Sequence, residues 1–556
     1  MTGLLLLFCL PIALGLIGIL LPAAGFFPAL GRHQFNNDAI ATFLATPGLG
    51  NAIFLTLWCG LIATAMSLTF SFLLLMAVTG RRSARWLTAL SGPLITVPHA
   101  AIAIGLLFLL TPSGWLMRIL SPEVTGFVRP PLWGLVPDPH GWGLILGLMA
   151  KEVPFLCLVG AAALATIPVS AYRKTGASLG YGHVASWLFL ILPLLYRRIR
   201  LPIAAVLVFS LSVVDMALIL GPGLPPPLAV LVYHGFIDAD LTARLPASAG
   251  ACLQIGLILF GMGVWRGGEY LCGQITHYSW RSGHRYRAWD SVGTILSVIA
   301  LIPALLGVLG MIAAGLWSVA GRWRFPDAWP TTFSLRAWTM PDTLLPLISN
   351  SLLLGIGASL LSLTLVLLLL RLMPSTAMRP PRAISVLIYV PLLVPQVSFL
   401  FGLQLWLSWM RLDGTWFALL WVHAIFILPY GWLILHPAYS AIDPRLANVA
   451  ASLGLSPWRR FVRVTLPLMA APIGTALFVG IAVSAALYLP TLFAGAGRID
   501  TLTTEAVSLA SGGNRSLAGA ATITLGIVPI CCFIMIQGAL RWRFGRFAGM
   551  RGGHLR

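Results

Sequence analysis

Charged and polar residues inside apolar stretches are the first candidates for chemistry in this sequence. Lys151, Glu152 and Asp215 stand in long hydrophobic runs, and His99 and Gln396 each follow a Val-Pro pair. A charge in an apolar medium needs a partner or water, so the chemistry that such groups can perform is binding. We expect the three charged residues either to pair between helices or to line a path for a polar solute. His99 and Gln396 are expected either to line that path or to hydrogen-bond to the backbone, and all these interpretations stay open.

The sequence contains no motif for ATP hydrolysis or for a zinc hydrolase. A Walker A loop needs Gly-Lys-Ser or Gly-Lys-Thr to hold phosphates, but the only lysines, Lys151 and Lys174, follow Ala150 and Arg173. The chain has no HExxH or CxxC motif, and its seven cysteines form no metal-ligand pattern. We therefore expect no catalytic residue, no metal site and no cofactor in this chain.

The elements that position these residues are membrane helices. Of the 556 residues, 58% are hydrophobic and only 9% are charged, whereas soluble proteins have about 25% charged residues. A helix of about 20 apolar residues crosses the hydrocarbon core, and helices satisfy their own backbone there. The sequence thus predicts an all-α polytopic membrane protein with about 12 transmembrane helices. They are expected near 3–27, 51–79, 87–111, 142–167, 201–221, 247–265, 291–320, 348–370, 383–407, 417–440, 469–490 and 518–540.

Basic residues divide sharply between alternate loops. One set of loops and the C-terminal tail carry 24 Lys and Arg against three acids, Glu269, Asp290 and Asp443. The other set carries ten Arg and ten acidic residues. Because Lys and Arg collect in cytoplasmic loops, both termini are predicted to be cytoplasmic. The net charge of +20 is then a signal of topology and not of nucleic-acid binding.

The chain is an internal duplication of six spans. LGYGHVASWLFLILP at 179–193 matches LGLSPWRRFVRVTLP at 453–467, an offset of 274 residues. An even number of spans in each unit makes the two repeats parallel. The predicted divisions are a first repeat at 1–265, a cytoplasmic linker at 266–290, a second repeat at 291–540 and a basic cytoplasmic tail at 541–556.

Two equivalent loops, loop A (residues 169–193) and loop B (residues 443–467), lie on the basic side. In loop B, Asp443 can cap a helix that begins at Pro444, and Gly454 suits a left-handed turn at its end. A second short helix follows. At helical spacing its arginines share one side and its apolar residues the other: Arg459, Arg460 and Arg463, and Trp458, Phe461, Val462 and Thr465. Docking on another protein and contact with lipid headgroups both explain this pattern.

The spacing of both loops resembles that of permeases from binding-protein-dependent ABC importers. The family pattern is Glu-Ala-Ala, three residues, Gly, nine residues, Ile, one residue and Leu-Pro. Loop B has Asn448-Val449-Ala450, Gly454, Val464 and Leu466-Pro467, and loop A has Lys174-Thr175-Gly176, Gly180, Leu190 and Leu192-Pro193. The acidic residue is absent from both loops. Loop A also has Ala185, Ser186 and Phe189 where loop B has arginines, which puts equal docking of the two loops in doubt.

Over nearly its whole length the chain resembles the fused, double-length permeases of the thiamine, ferric-iron and spermidine-type importers, and most of all a thiamine-like branch. The resemblance implies the type I importer permease fold and a multi-pass protein of the bacterial inner membrane. It also implies a periplasmic binding protein that delivers solute and an ABC ATPase homodimer that binds ATP. The residues it assigns to ATPase coupling are Lys174, Gly180, Leu192, Pro193, Asn448, Ala450, Gly454, Trp458, Arg459, Arg460, Phe461, Arg463, Leu466 and Pro467. Tyr488 joins the candidates for the solute path.

Two other functional classes stay open on the sequence. A secondary transporter of the major facilitator type also has twelve spans in two parallel halves, but its loop after the second span usually carries an acid, and residues 80–85 contain none. A polytopic membrane enzyme would collect acidic or histidine residues on one membrane face, yet the ten outer acids are scattered. The transported solute is not predicted, because a permease of this kind passes what its binding protein presents.

Overall fold

The computed structural model describes residues 2–79, 94, 96–286, 288–339, 341–372 and 382–544. Within these ranges the regular structure is helical without strands, apart from isolated bridges between Phe27 and Arg32 and between Ala320 and Phe333. Several residues of the basic-loop prediction lie outside the described residues: Arg81, Arg82, Arg85, Arg287, Arg379 and the tail beyond residue 544.

The helices follow one another along the whole described chain. The first fourteen are α1 (Thr2–Ala23), α2 (Asp38–Leu44), α3 (Leu49–Val78), α4 (His99–Leu110), α5 (Trp115–Leu120), α6 (Trp142–Leu164), α7 (Val169–Ser178), α8 (His183–Ser186), α9 (Leu192–Ser212), α10 (Asp215–Leu220), α11 (Leu228–Ile237), α12 (Arg244–Ser282), α13 (Trp289–Ile299) and α14 (Ile302–Val319). The others are α15 (Pro341–Leu372), α16 (Arg382–Leu393), α17 (Val397–Trp409), α18 (Trp416–Ser440), α19 (Pro444–Ser452), α20 (Pro457–Arg460), α21 (Leu466–Leu468), α22 (Ala470–Ala486), α23 (Tyr488–Gly495), α24 (Leu502–Ala510) and α25 (Arg515–Phe544).

Eight helices in the described part of the chain are long and apolar enough to cross a membrane, or ten if two bent pairs each count as one span. Leu387–Leu393 meets Val397–Trp409 at 108°, and Pro457–Leu468 meets Ala470–Ala486 at 74°. The predicted fifth span is interrupted because Val213 is extended between α9 and α10. The polytopic all-α architecture is confirmed, and the count of twelve spans stays a prediction.

One compact unit is formed by Ile19–Thr339 and Leu509–Ile523. In it α3 packs along α6 and α9, and α14 packs on α4 and α6. The crossing of α4 and α14 is close because both helices place glycine there: a Cβ added to Gly105 would lie 2.7 Å from the carbonyl carbon of Gly310. Although α14 belongs to the predicted second repeat, it packs with helices of the first.

The other unit contains the described residues of Met1–Gly18, Met340–Ser508 and Thr524–Arg556. Its helices α15, α18 and α22 pack against one another. The start of α1 packs on α17, where a Cβ added to Gly18 would lie 2.6 Å from the carbonyl oxygen of Gly402. The Trp406 indole N–H donates to the Leu14 carbonyl oxygen at 2.9 Å. The start of the first repeat's first helix thus packs with the second repeat, and the repeat boundaries stay a prediction.

Candidate functional site

Loop A is a pair of short helices joined by a left-handed turn. Gly180 has φ +82°, a conformation that glycine adopts without the strain of a side chain. The Tyr181 N–H donates to the Gly176 carbonyl oxygen at 3.0 Å, which closes the end of α7. A side chain at Gly176 would collide with Ser186 of α8. The two helices therefore pack closely because residue 176 is glycine.

Loop B forms the same shape with local side-chain caps. Asp443 Oδ1 accepts a hydrogen bond from the Arg445 N–H at 2.9 Å at the start of α19. Gly454 has φ +78° at the turn, and Ser456 Oγ accepts from the Arg459 N–H at 3.4 Å at the start of α20. The predicted cap, left-handed turn and second helix are confirmed.

The second helix of each loop passes through a π turn, at Trp187–Ile191 and at Phe461–Thr465. A π turn holds more residues than an α turn, so the predicted faces of this helix shift. Phe461 is only 8% exposed, whereas Trp458 is 52% exposed and Val462 is also exposed. The predicted apolar side therefore presents Trp458 and Val462 to solvent and buries Phe461.

Loop B exposes an apolar stripe that the sequence analysis missed. Leu446, Val449 and Leu453 follow helical i, i+3 and i+7 spacing along α19 and its C-cap, and Leu453 is 75% exposed. Nearby in the chain, Trp458 has the Arg371 guanidinium 4.6 Å from its ring centroid. We use the name loop B surface for six of the exposed side chains of this loop: Leu446, Val449, Leu453, Trp458, Arg459 and Arg463. The i, i+3 and i+7 spacing of Leu446, Val449 and Leu453 is visible in the sequence and could have predicted this stripe.

Loop A buries the second-helix positions that correspond to this surface, whereas Leu179, at the position of Leu453, is 50% exposed. The repeat offset places Val184 at the position of Trp458 and Phe189 at that of Arg463, and both are nearly buried. The rings of Tyr286 and Trp289, from the predicted linker, lie 5.6 and 6.4 Å from the Phe189 ring. The two loops thus share a backbone shape but present different surfaces.

The remaining predicted coupling residues differ in exposure. The exposed ones are Lys174, Asn448 and Gly454, the partly exposed ones are Gly180, Leu192, Pro193, Arg460, Leu466 and Pro467, and the buried one is Ala450.

Three candidates for the solute path form a polar cluster in the unit that contains the first repeat. His99 Nε2 lies 3.7 Å from Glu152 Oε1, and the Phe209 ring lies 4.5 Å from the imidazole ring. Asp215 also interacts electrostatically with His99. Glu152 and Asp215 are nearly buried, whereas the His99 side chain is 22% exposed. The structure therefore brings together residues from α4, α6 and α10.

Lys151 contacts a different part of the same unit. Its Nζ donates to the carbonyl oxygens of Leu94 at 3.1 Å and Val97 at 2.5 Å. These carbonyls lie just before Pro98, the N-cap of α4, so the ammonium group holds the segment that leads into this helix. This arrangement favours a structural role for Lys151, one of the two interpretations that the sequence left open.

The candidates of the second repeat are in other surroundings. Gln396 lies at the 108° bend before α17, and Tyr488 begins α23 and is nearly buried. At the repeat offset Glu152 falls on Phe426 and Asp215 on Leu489. The second repeat therefore has no acids at the positions equivalent to those of the His99 cluster.

A second buried polar network was missed by the sequence analysis. His423 is fully buried; its Nδ1 lies 2.9 Å from Ser484 Oγ and its Nε2 lies 3.1 Å from Thr491 Oγ1. These contacts join α18, α22 and α23. The rule that singled out His99, a polar residue in an apolar run, would have found His423 as well.

The sequence is similar to inner-membrane permeases. It is 30% identical over 508 residues to the inner membrane ABC transporter permease protein YnjC of Escherichia coli (strain K12), covering 90% of this chain and 89% of that protein. It is 26% identical over 258 residues to PhnV of Salmonella typhi, named as a permease of a 2-aminoethylphosphonate transport system, covering 44% of this chain and 93% of that protein. It is 30% identical over 137 residues to the spermidine/putrescine transport system permease protein PotC homolog of Mycoplasma genitalium, covering 24% and 48%. No family model matches the chain.

Proposed function

Because the chain belongs to the permease subunits of ABC transporters, whose role is translocation across the membrane, we propose the following division of work. The chain passes a small solute from a periplasmic binding protein through the bacterial inner membrane. A separate ABC ATPase homodimer docks on loops A and B and drives the transport. Lipid surrounds the spans, and the concentration of basic residues on one side supports cytoplasmic termini.

The loop B surface is the observation that carries the docking proposal. Large apolar side chains stand exposed beside Arg459 and Arg463 on a loop whose backbone is held by its own caps. An exposed apolar group of this kind, flanked by charge, is typical of a protein contact.

We assign ATP hydrolysis to a separate subunit because this sequence has no phosphate-binding loop. No Gly-Lys-Ser or Gly-Lys-Thr is present to hold phosphates. ATP is therefore bound and hydrolysed by the partner, and this chain is a transport subunit without an ATPase site or a cofactor of its own.

The solute path in the first repeat includes His99, Glu152 and Asp215. Charges held within an apolar span need a partner or water, and the partly exposed imidazole of His99 gives this cluster an open side. Gln396 and Tyr488 are the candidates of the second repeat, and Lys151 contributes by holding the start of α4. Which solute passes depends on the binding protein.

The central test is reconstitution of the chain with its ABC ATPase. The purified chain alone should hydrolyse no ATP, and native mass spectrometry should find one copy with two ATPase chains. ATP turnover by the isolated chain, or two copies of it in each complex, would overturn this division of labour.

Docking itself is tested on the loop B surface. The paired change Val449→Glu and Leu453→Glu should abolish pull-down of the ATPase, because two charges enter an apolar contact. Leu132→Glu is the matched control, since Leu132 is fully exposed but lies on an outer loop. Arg459→Glu with Arg463→Glu should weaken pull-down in a way that depends on salt, because salt screens exposed charges. Unchanged pull-down by all loop B variants would contradict the docking assignment.

A further inference from the structure

The predicted linker is folded against loop A. Helix α12 continues to Ser282, and the chain turns at Gly283 with φ +71°. Asp290, in the first turn of α13, then reaches back over more than a hundred residues of sequence. Its Oδ2 accepts from the His183 N–H at 3.0 Å and its Oδ1 accepts from the Val184 N–H at 2.9 Å. One carboxylate of the linker therefore caps α8, the second short helix of loop A.

Comparison with loop B explains why the cap comes from so far away. The repeat offset places Gly182 at the position of Ser456, and Ser456 caps its own helix through its hydroxyl. Gly182 has no side chain to do this. A Cβ on Gly182 would lie 2.7 Å from Asp290 Oδ2, so the space that a local cap would need is taken by Asp290. The linker carboxylate thus replaces the missing serine.

The contact around Asp290 is broad. The Arg285 guanidinium lies 4.9 Å from the Tyr181 ring centroid, and Tyr286 and Trp289 cover Phe189. A side chain at Gly293 would collide with Val184, so glycine lets α13 lie directly on α8. These contacts bury the part of loop A that corresponds to Trp458, Arg459 and Arg463 of the loop B surface.

A second acid fixes the other end of the linker. Glu269, on the cytoplasmic extension of α12, contacts Arg200 and Arg266 and accepts a hydrogen bond from the Tyr196 hydroxyl at 2.5 Å. Burial, and then the hydrogen bond to Glu269, raise the pKa of the Tyr196 phenol above its ordinary value, so the hydroxyl stays protonated as a donor. Glu269 and Asp290 are two of the three acids predicted on the basic side, and both join the linker to the segment that contains loop A and the start of α9.

We propose that Asp290 is a positioning residue for coupling: by holding α8 it sets the direction in which loop A presents the exposed helix α7 to the ATPase. This inference rests on the proposed role of the loops as ATPase contacts. Loop B is held by caps of its own, whereas loop A is held by the linker that leads into the second repeat. A movement of α13 would then move α8 with it, so the fused chain conveys motion to loop A through a connection that the described residues do not provide for loop B.

The experiment uses the full chain reconstituted with its ATPase and binding protein. Asp290→Ala should raise the ATP hydrolysed per solute taken up severalfold, with an unchanged amount of folded protein. Amides of residues 183–191 should exchange hydrogen roughly fivefold faster in the variant, as expected for loss of a helix cap. The double variant Asp290→Ala with Gly182→Ser installs the cap that loop B has, in space that the shorter Ala side chain vacates, and should restore both slow exchange and coupling. Gly182→Ser alone should impair both, because the serine meets the Asp290 carboxylate.

Two further variants test whether the effect is specific to the Asp290 cap. Asp290→Asn retains one acceptor oxygen and should fall between the wild type and Asp290→Ala, which provides a milder change if Asp290→Ala folds poorly. Ser456→Ala is the matched control: it should speed exchange in loop B and leave loop A unchanged. Wild-type coupling and exchange in both Asp290 variants, or failure of Gly182→Ser to restore Asp290→Ala, would overturn the positioning role. Absence of ATP-driven uptake by the wild type would instead refute the proposed function, and the exchange data would still report on the cap.

Discussion

His99 Nε2 and Glu152 Oε1 lie 3.7 Å apart, and Asp215 interacts electrostatically with the same histidine. One partly exposed histidine therefore interacts with two nearly buried acids from different helices. Lys151, although it adjoins Glu152 in sequence, donates instead to backbone carbonyls before α4. Lys151 and Glu152 are neighbours in one helix but contact different groups. Substitution of each residue should therefore have a different effect on uptake and on the amount of folded protein.

We expect Glu152→Gln and Asp215→Asn to reduce solute uptake more than the amount of folded protein, because each keeps its shape and loses only its charge. Lys151→Met should reduce the amount of folded protein instead, because it leaves two carbonyls without their donor, at a cost of about 1–3 kcal/mol for each group. Uptake in proteoliposomes is measured beside the monodisperse fraction in detergent. Parallel losses of uptake and folded protein in Glu152→Gln and Asp215→Asn would favour the structural-pairing interpretation.

The close crossing of α4 and α14 predicts a strong effect on stability. Gly105→Leu should lower the midpoint of thermal unfolding in detergent, because its Cβ meets the Gly310 backbone and overpacking of this kind costs at least about 1–3 kcal/mol. Gly256→Leu, on the membrane helix α12, is the control because a Cβ there meets no atom within 4 Å. Equal midpoints for the two variants would contradict the crossing.

The turn of loop B predicts an effect that depends on backbone conformation alone. A Cβ on Gly454 meets no atom within 4 Å, yet φ is +78°. Gly454→Val should strain the turn by about 1–3 kcal/mol, misdirect α20 and weaken pull-down of the ATPase. Gly454→Asn should bind nearly as well as the wild type, since asparagine tolerates the left-handed region. If the two variants bind equally, the left-handed turn does not control docking.

The contact between His423 and Ser484 predicts that substitutions at these two residues have non-additive effects on the free energy of unfolding. His423→Leu should destabilise the folded protein by about 1–3 kcal/mol, because it deprives the buried Ser484 hydroxyl of its ring partner. Adding Ser484→Ala should cost little more or restore part of the loss, since the abandoned polar group is then removed. Thermal unfolding of the two single variants and the double variant completes the cycle, and strictly additive losses would show that the contact contributes nothing.

Sequence patterns predicted the local geometry better than the long-range contacts. Asp443, Gly454 and Ser456 act through neighbouring backbone, so their types and spacing sufficed to predict the caps and the turn of loop B. The capping role of Asp290 could not be predicted in this way, because its partner amides lie in loop A, more than a hundred residues away. The charge distribution between loops did not distinguish Asp290 from the other acid of the linker, Glu269. The π turns also escaped prediction, since a 3.6-residue period assumes an unbroken α-helix.

The packing of α1 on α17 has a consequence for the order of synthesis. Leu14 and Trp406 are 392 residues apart, so at about 5–20 residues per second roughly 20 to 80 s pass before the ribosome makes the partner of α1. α1 contains no charged residue, so it can remain in lipid during that interval. By contrast, α14 emerges after α4 and α6 are already made. Helix α1, which is made before the other described helices, is thus among the later ones to reach its final contacts.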